Sequence, residues 1–233
     1  MTAETAQREG LLVPGGRRPA LIAHGGGNTS ALAREALAAG ADYLEVDLWV
    51  HKGRFEARHE RRFPLRFPVF YEKWYLRFAP RHAFGLPELL AAAYPQAGIF
   101  LDLKNGGWTA TRLVAEALAA APHGPVAASS QFWGLLRPLA EASPRVHLYY
   151  SIDVQAKLDL FLSVARRDER PRGVSCRHTL LTPQVVAELH ERGLEVVAWT
   201  VDDEARAAEL AAMGVEAITT HRVAELRARL ATG

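Results

Sequence analysis

Acidic side chains stand near the ends of two apolar segments of this sequence. Glu45 and Asp47 lie in DYLEVDL, and Asp102 lies in IFLDLKN, where Lys104 follows it by two residues. Because residues i and i+2 of a β-strand point to the same face, each segment is expected to project two charged groups to one side. Buried carboxylates need a strong partner, and oxygen ligands are those that Mg²⁺ and Ca²⁺ prefer. The three carboxylates therefore predict a site for one divalent cation.

Simpler alternatives stay open for these charged residues. Glu45 and Asp47 could form the solvated face of a strand, although the residues around them are apolar. Lys104 is one of only four lysines in the chain, and it could simply form a salt bridge with Asp102. Its place at the end of a strand favours a second interpretation, in which it holds a phosphate oxygen beside the metal.

Two histidines are the candidates for proton transfer. His24 in LIAHGGGN follows a predicted strand and precedes glycines 25–27, whose backbone can approach a ligand and offer N–H groups to an anion. His59 in FEARHE follows a short predicted strand at 55–58. Imidazole titrates near neutral pH and passes protons in either direction. A lone histidine is more often structural, but two histidines beside three carboxylates and a lysine predict phosphodiester chemistry.

Short β-rich segments alternate with helical segments rich in alanine and leucine, which is the pattern of a parallel sheet with helical crossovers. The predicted strands are 20–24, 43–49, 98–103, 125–129, 146–151, 172–176, 194–200 and 215–219. The predicted helices are 30–39, 86–94, 109–120, 132–142, 154–167, 183–192, 203–213 and 223–231. Helix caps are predicted at Ser30, Thr182 and Asp202, and helix ends at Gly40, Gly193 and Gly214. Eight strands and eight helices in strict alternation favour a closed α/β (βα)8 TIM barrel over a doubly wound sheet.

One segment breaks this alternation, an insertion at about 60–85 between the second strand and its helix. Residues 61–85 hold eight of the twenty aromatic residues, interleaved with arginines and prolines. Loops of this length in a compact domain are usually functional, and in a barrel this one is expected to lie over the C-terminal mouth. It could be a local apolar cluster, or a lid that makes transient contact with a membrane surface. The residues concerned are Phe63, Phe67, Phe70, Tyr71, Trp74, Tyr75, Phe78, Arg61, Arg62, Arg66 and Arg77.

The bulk composition predicts a single barrel domain over residues 1–233. About half of the residues are hydrophobic, and the formal charge of +2 does not by itself argue for a nucleic-acid partner. Cys176 is the one cysteine, which excludes an internal disulfide and fits a reducing compartment. There is no apolar leader segment and no apolar run of membrane-spanning length. We therefore predict a cytoplasmic location, with loose attachment to a membrane left open.

In their order and spacing, the segments LIAHGG, DYLEVDL, FEARHE, FLDLKN, SSQFWGLLRPL and VVAWTVDDEARAAELAAMGVEAITT resemble the glycerophosphodiester phosphodiesterase family over nearly the whole chain. The resemblance implies a βα barrel, one divalent cation, and hydrolysis of glycerophosphodiesters to glycerol phosphate and an alcohol. It implies that His24 and His59 are catalytic, with His24 given the base role and His59 the acid role as a working assignment. It also implies that Glu45, Asp47 and Asp102 bind the metal, that Lys104 binds phosphate and that Trp199 faces the substrate.

Several positions depart from the pattern of that family. Gly25 stands where an arginine normally follows the first histidine, Gly27 where a carboxylate precedes Asn28, Glu60 where an aspartate follows the second histidine, and His221 where an aspartate follows ITT. The missing arginine, with the DLK and WTVD runs, is similar to the related phospholipase D-like and sphingomyelinase D branch. Two alternatives therefore stay open: a phospholipase D-like enzyme that forms a cyclic phosphate from lysophospholipid or sphingolipid headgroups, or a non-catalytic phosphodiester-binding relative. Headgroup preference and oligomeric state have no signal in the sequence.

Overall fold

Eight parallel strands close into a barrel within the residues that the structure, a computed structural model, describes: 18–63, 69–72, 75–78, 84–164 and 172–231. The strands in this part of the chain are β1 (Ala20–Ala23), β2 (Tyr43–His51), β3 (Arg54–Ala57), β4 (Arg61–Arg62), β5 (Val69–Glu72), β6 (Tyr75–Phe78), β7 (Gly98–Leu103), β8 (Val126–Ser130), β9 (His147–Ile152), β10 (Gly173–Arg177), β11 (Glu195–Trp199) and β12 (Ala217–Thr220). The α-helices are α1 (Ser30–Ala38), α2 (Leu86–Ala93), α3 (Gly107–Ala120), α4 (Leu136–Ala142), α5 (Gln155–Val164), α6 (Pro183–Glu191), α7 (Glu204–Met213) and α8 (Val223–Ala231).

The barrel strands follow one another around the sheet in the order β1, β2, β7, β8, β9, β10, β11 and β12, and β12 pairs with β1 to close it. The predicted TIM barrel is therefore confirmed. The helix predicted at 132–142 is divided into a 3₁₀ turn at Trp133–Leu135 and helix α4. The helix predicted at 154–167 is seen as α5, and its last three predicted residues lie outside the described residues. No helix in the described segments is long and apolar enough to cross a bilayer.

The helix caps correct two of the sequence predictions. Thr182 caps α6 as predicted, because its side chain accepts a hydrogen bond from the Val185 N–H. The cap of α1 is Thr29 rather than Ser30, and the cap of α7 is Asp203 rather than Asp202. Asp202 does not cap the helix because the end of β12 binds its carboxylate. The predicted helix-ending glycines 40, 193 and 214 have positive φ angles of 82°, 71° and 87°.

Apolar side chains form two layers, one between the strands and the helices and one inside the barrel. Because side chains alternate along a strand, the inner layer draws every second residue of the barrel strands. Toward the N-terminal end of the barrel this inner layer is apolar: Ala20, Ile22, Tyr43, Phe100, Ala127, Tyr149, Val197 and Ala217. One step further along the same strands the inward positions become polar: Glu45, Asp102, Ser129, Ser151, Ser175 and Thr219. The barrel is therefore sealed at one end and polar at its C-terminal mouth.

The insertion is built on a hairpin that extends the second barrel strand. Strand β2 continues beyond the barrel and pairs antiparallel with β3 through a turn at Lys52 and Gly53, whose φ angles of 49° and 76° suit a two-residue hairpin. Strands β4, β5 and β6 then form a small antiparallel sheet, where the sequence predicted only a loop. The rings of Phe63 and Tyr71 pack edge to face with centroids 5.7 Å apart. Phe67, Trp74 and Arg66 lie outside the described residues.

Close packing between β10 and β11 generates a stability prediction. A Cβ atom at Gly173 would lie 2.0 Å from the carbonyl oxygen of Glu195, and backbone cannot move aside as a flexible side chain can. Gly173→Ala is therefore expected to lower the free energy of unfolding by about 3 kcal/mol or more. Gly134→Ala is the matched control, because a Cβ atom there meets nothing within 4 Å. Urea unfolding followed by circular dichroism measures both, and equal stability of the two variants would contradict the prediction.

Candidate active site

Three carboxylates meet at the C-terminal mouth of the barrel. Strands β2 and β7 pair in parallel with Asp47 directly opposite Asp102, and Glu45 lies on the same inward face of β2 two residues earlier. One carboxylate oxygen from each residue lies within 4.8 Å of those of the other two. Glu45 and Asp47 are buried and Asp102 is half-buried. The residues predicted to share a cation are therefore brought together.

Backbone and amide groups hold two of these carboxylates in place. The Asn28 side-chain amide donates to Asp47 Oδ2 over 2.7 Å, and the Asp47 N–H donates back to Asn28 Oδ1 over 2.9 Å. The Gly25 N–H donates to Glu45 Oε2 over 2.5 Å. Asn28 was not singled out from the sequence, and its role depends on the loop after β1 folding over the end of β2.

The glycines that follow His24 correct another sequence interpretation. Their N–H groups were predicted to be available to an anion, but all three are used within the protein: Gly25 donates to the Glu45 carboxylate, Gly26 to the Ala23 carbonyl and Gly27 to the Glu45 carbonyl. A Cβ atom at position 27 would lie 2.8 Å from Val46 and 2.9 Å from Leu89. Gly27 is therefore required by packing.

Lys104 lies between two of the carboxylates. Its Nζ is 2.5 Å from Asp102 Oδ2 and 2.7 Å from Asp47 Oδ1, so the predicted salt bridge to Asp102 is present and a second one accompanies it. Burial opposes the charge on Lys104, but Asp102, Asp47 and Glu45 outweigh it and raise the pKa of the amine. Lys104 is therefore a fixed cation at the edge of the carboxylate cluster.

One lysine does not neutralise the cluster. Burial raises the pKa of Glu45 well above its ordinary value, and the charges on Asp47 and Asp102 raise it further. Burial also raises the pKa of Asp102, although Lys104 opposes the shift. Asp102 Oδ1 is buried and, among the described residues, has no hydrogen-bond partner. This set of oxygen donors, with one of them unsatisfied, fits a hard divalent cation.

The two predicted histidines flank this cluster. His24 is the first residue after β1, His59 lies two residues after β3, and their ring centroids are 6.1 Å apart. His24 Nδ1 shares a hydrogen bond of 3.1 Å with the Thr200 hydroxyl, which leaves Nε2 for proton transfer. Burial lowers the pKa of His24 to about 4, and a charge on His221 acts in the same direction. His24 is therefore neutral at physiological pH.

His221 is a third histidine at this site, and its sequence position alone did not reveal a role. Its ring lies 4.5 Å from that of His24, centroid to centroid. The two residues are neighbours because β1 pairs with β12 in a register that places Ala23 opposite Thr220, and each histidine is the next residue in its chain. A histidine directly after the last barrel strand is a signal that could have identified it, since closure makes the last strand a neighbour of the first.

Asp202 fixes the position of His221. Its carboxylate accepts hydrogen bonds from the His221 backbone N–H and the Thr220 hydroxyl, at 2.8 and 2.9 Å, and Oδ2 lies 2.8 Å from His221 Nδ1. Burial alone would raise the pKa of Asp202, but these hydrogen bonds lower it below its ordinary value. Asp202 is therefore an ionised support for the histidine.

A cavity of about 180 Å³ opens over these groups. Trp199, predicted to face the substrate, lines it at the end of β11, and its Nε1 is a buried donor without a partner in the described part of the chain. Hydroxyl groups form much of the remaining wall. The lining residues are His24, Glu45, His59, Phe100, Asp102, Lys104, Ser129, Gln131, Ser151, Ser175, Trp199, Thr200 and Thr219. All the predicted site residues except Asp47 line this cavity, and Asp47 reaches it through Lys104.

Residues 126–225 match the model of the Glycerophosphoryl diester phosphodiesterase family. The resemblance recognised in the sequence is therefore borne out over these residues, which make up less than half of the chain. The glycerophosphoryl diester phosphodiesterase match runs from β8 into α8, so it includes Trp199 and His221. It does not extend to the two predicted catalytic histidines or to the carboxylates, whose roles stay predictions. No curated protein matches the chain significantly.

Solved structures share the barrel over nearly its whole length. A phosphodiesterase of Oleispira antarctica, in complex with the product sn-glycerol-3-phosphate, has a TM-score of 0.74 at 16% identity and covers 92% of this chain and 97% of its own. A provisionally named glycerophosphoryl diester phosphodiesterase of Silicibacter pomeroyi has a TM-score of 0.73 at 21% identity and covers 97% of both chains. A glycerophosphodiester phosphodiesterase of Parabacteroides distasonis has a TM-score of 0.69 at 17% identity and covers 92% of this chain and 98% of its own. At these identities the likeness shows the fold.

The carboxylate cluster generates a prediction about metal binding that needs no enzyme assay. Mg²⁺ or Ca²⁺ at about 100 times its Kd is expected to stabilise the protein by about 2.7 kcal/mol, or roughly 5–10 °C in Tm. Asp102→Asn should abolish most of this shift, because it removes one of the charged oxygen ligands. Glu209→Gln, on the exposed side of α7, is the control and should retain the shift. Differential scanning calorimetry with and without EDTA measures it, and an equal shift in both variants would refute the metal site.

Proposed function

We propose that this protein is a metal-dependent phosphodiesterase that hydrolyses glycerophosphodiesters to glycerol phosphate and an alcohol. The observation that carries the proposal is the convergence of three carboxylates, a lysine and two histidines on one cavity at the mouth of the barrel. The family match over residues 126–225 supports the reaction class. The glycerol phosphate product bound to the Oleispira antarctica phosphodiesterase supports the substrate class.

Glu45, Asp47 and Asp102 would hold the divalent cation, Mg²⁺ or Ca²⁺. When bound, such a cation offsets the charge of a non-bridging phosphate oxygen. Lys104 is already anchored to two carboxylates, so its remaining N–H group is preorganised to donate to a second phosphate oxygen without further ordering of the side chain. Trp199 lines the cavity with an aromatic side chain, which suits the glycerol portion of the substrate.

The two histidines divide the proton transfers. His24 acts as the general base, because its burial keeps it neutral and its Nδ1 is held by Thr200. It removes a proton from the attacking hydroxyl, which belongs to water or to the substrate itself. His59 lies on the exposed edge of the site and donates a proton to the leaving alkoxide. The backbone N–H of Arg58 donates to the Asp47 carbonyl over 3.0 Å, which ties the segment carrying His59 to the metal-binding strand.

The test of the reaction is turnover of glycerophosphocholine with product analysis by mass spectrometry. We expect release of glycerol phosphate and choline. This release should be lost on addition of EDTA and restored by Mg²⁺ or Ca²⁺. Accumulation of a cyclic phosphate would assign the protein to the lyase alternative. Binding of glycerophosphocholine without turnover would assign it to the non-catalytic alternative. A cytoplasmic location stays a prediction from the composition.

Each catalytic histidine is expected to be necessary for turnover. His24→Ala and His59→Ala should each lower kcat by a factor of about 10² to 10⁴, which is the range for loss of a general acid or base. Circular dichroism should show an unchanged fold. His123→Ala is the control, because His123 precedes β8 at the opposite end of the barrel, where its Nδ1 lies 2.8 Å from the Gly124 carbonyl oxygen. Near-wild-type turnover by either site variant would remove that histidine from the mechanism.

The pH dependence tests the assignment of the base and the influence of His221. The base must be neutral, so kcat/KM at saturating cation should fall only as the pH approaches about 4, the pKa of His24. His221→Asn removes a charge that lowers this pKa, so His24 should protonate at a higher pH and the acid limb should move upward. His190→Asn, on α6 beside Glu216, should leave the limb in place. A wild-type limb near pH 6.5, or one unmoved in His221→Asn, would contradict the assignment.

A further inference from the structure

Large apolar side chains are exposed mainly at one end of the barrel. Of ten such side chains in the described residues, seven follow the C-terminal end of a barrel strand before the next helix has completed its first turn. These seven residues, named here the apolar rim, are Leu32, Phe63, Leu76, Phe78, Trp108, Phe132 and Val154. Phe78, Trp108, Leu76 and Phe132 are each between 64% and 79% exposed, which is uncommon for residues of this size. Exposed apolar residues that are grouped at the mouth indicate a surface that binds another molecule or a membrane.

The apolar rim occupies one side of the mouth. Its residues come from the connections after β1, β2 with its hairpin, β7, β8 and β9, which are consecutive neighbours around the barrel. The connections after β10, β11 and β12 expose polar side chains instead, such as Thr179, Asp203 and His221. An even scatter of surface apolar residues would not produce this division. The cavity of the proposed active site therefore opens beside an arc of neighbouring connections that carry exposed apolar side chains.

The insertion sheet contributes the most exposed part of the apolar rim. It leaves the barrel after the β2–β3 hairpin and returns at the first residue of α2, so both of its ends are anchored at the mouth. Leu76 and Phe78 lie two residues apart on β6 and therefore project from the same face of the sheet. Phe63 packs against Tyr71 but remains 38% exposed. Leu76 pairs with Tyr71 and Phe78 with Val69, so the exposed pair on β6 lies on the same face of the sheet as the Phe63–Tyr71 contact, and this face is apolar.

Positive charges accompany these apolar residues. Lys52 and Arg54 at the hairpin and Arg61 on β4 are exposed, whereas the acidic residues of the same segment, Glu56 and Glu60, are buried. Glu56 forms ion pairs with Arg58 and Arg62, so its charge is compensated locally. The surface that the segment presents to solvent is therefore cationic and apolar, which complements a surface of acyl chains under anionic headgroups.

We propose that the apolar rim docks this protein onto membranes that contain anionic phospholipid. Aromatic and aliphatic side chains of the rim enter the headgroup and acyl boundary, and Lys52, Arg54 and Arg61 meet the phosphate groups. Docking places the cavity of the barrel against the layer of lipid headgroups. The interaction goes beyond the proposed function, because it needs neither the metal nor turnover.

Co-sedimentation with vesicles tests the docking directly. The wild-type protein is expected to sediment with vesicles of equal parts phosphatidylglycerol and phosphatidylcholine, and much less with pure phosphatidylcholine. Leu76→Ser with Phe78→Ser should weaken the partition by about tenfold or more, because two apolar side chains no longer enter the boundary. Trp108→Ser with Phe132→Ser, on two other connections, should do the same, which guards against misfolding of the insertion alone.

Tyr94→Ser with Leu160→Ser is the matched control. Both residues are exposed apolar side chains, at 48% and 52%, but lie outside the apolar rim at the end of α2 and within α5. Their substitution should leave the partition unchanged. Replacing Lys52, Arg54 and Arg61 with glutamine should remove the preference for phosphatidylglycerol and the sensitivity of binding to salt.

Three outcomes would overturn the proposal. The first is no sedimentation of the wild type with the anionic vesicles, and the second is an equal loss in the rim and control variants. The third combines two observations: the wild type does not bind vesicles, and it forms a dimer in analytical ultracentrifugation that Leu76→Ser with Phe78→Ser converts to a monomer. The apolar rim would then join two copies of the chain. His24→Ala should bind vesicles as the wild type does, so failure of the proposed catalysis would not be confused with failure of docking.

Discussion

The parallel pairing of β2 with β7 is the constraint on which the rest of the site depends. Its register sets Asp47 directly opposite Asp102, with Glu45 one inward position below. Two carboxylates on adjacent strands repel each other, and burial strengthens the repulsion because water cannot screen it. Lys104, which directly follows β7, and backbone and amide donors from the loop after β1 reduce this repulsion. These groups orient the oxygens, and the charge that they leave uncompensated is the basis for the proposed cation site.

The interior of the barrel is an apolar core toward its N-terminal end and a polar cavity toward its C-terminal end. Its N-terminal half is filled by Tyr43, Phe100 and Tyr149, and the Tyr149 hydroxyl is satisfied by Glu195, which in turn pairs with Arg172 at the N-terminal edge of the barrel. One inward position further along, small hydroxyl residues leave open space above this floor. This apolar floor excludes water from below and keeps the strands in register. The polar half can then vary in shape without loss of the core.

Much of this arrangement could be predicted from the sequence because its signals are local. The strands carry apolar residues with charged residues at their ends, and this pattern is enough to place Asp47, Asp102 and His24 at the mouth. Asn28 and Thr200 could not be placed in this way, because their roles depend on which loops meet when the barrel closes. The predicted cap at Asp202 was wrong for the same reason, since β12 competes for its carboxylate. The insertion sheet was missed because its strands are short and its apolar residues do not alternate regularly.

The hairpin of β2 and β3 has a consequence for substrate range. His24 directly follows a strand of the barrel. His59 instead lies two residues after β3, outside the barrel, on an extension that is held by the turn at Lys52 and Gly53 and by the Glu56–Arg58 ion pair. The gap between the two imidazoles is therefore set by a peripheral ribbon. In the proposed mechanism, a change in the length or tilt of that ribbon would admit a bulkier alcohol on the departing side of phosphorus and leave the carboxylate cluster untouched. The residues proposed to bind the phosphate and those proposed to accommodate the released group would then be separately adjustable.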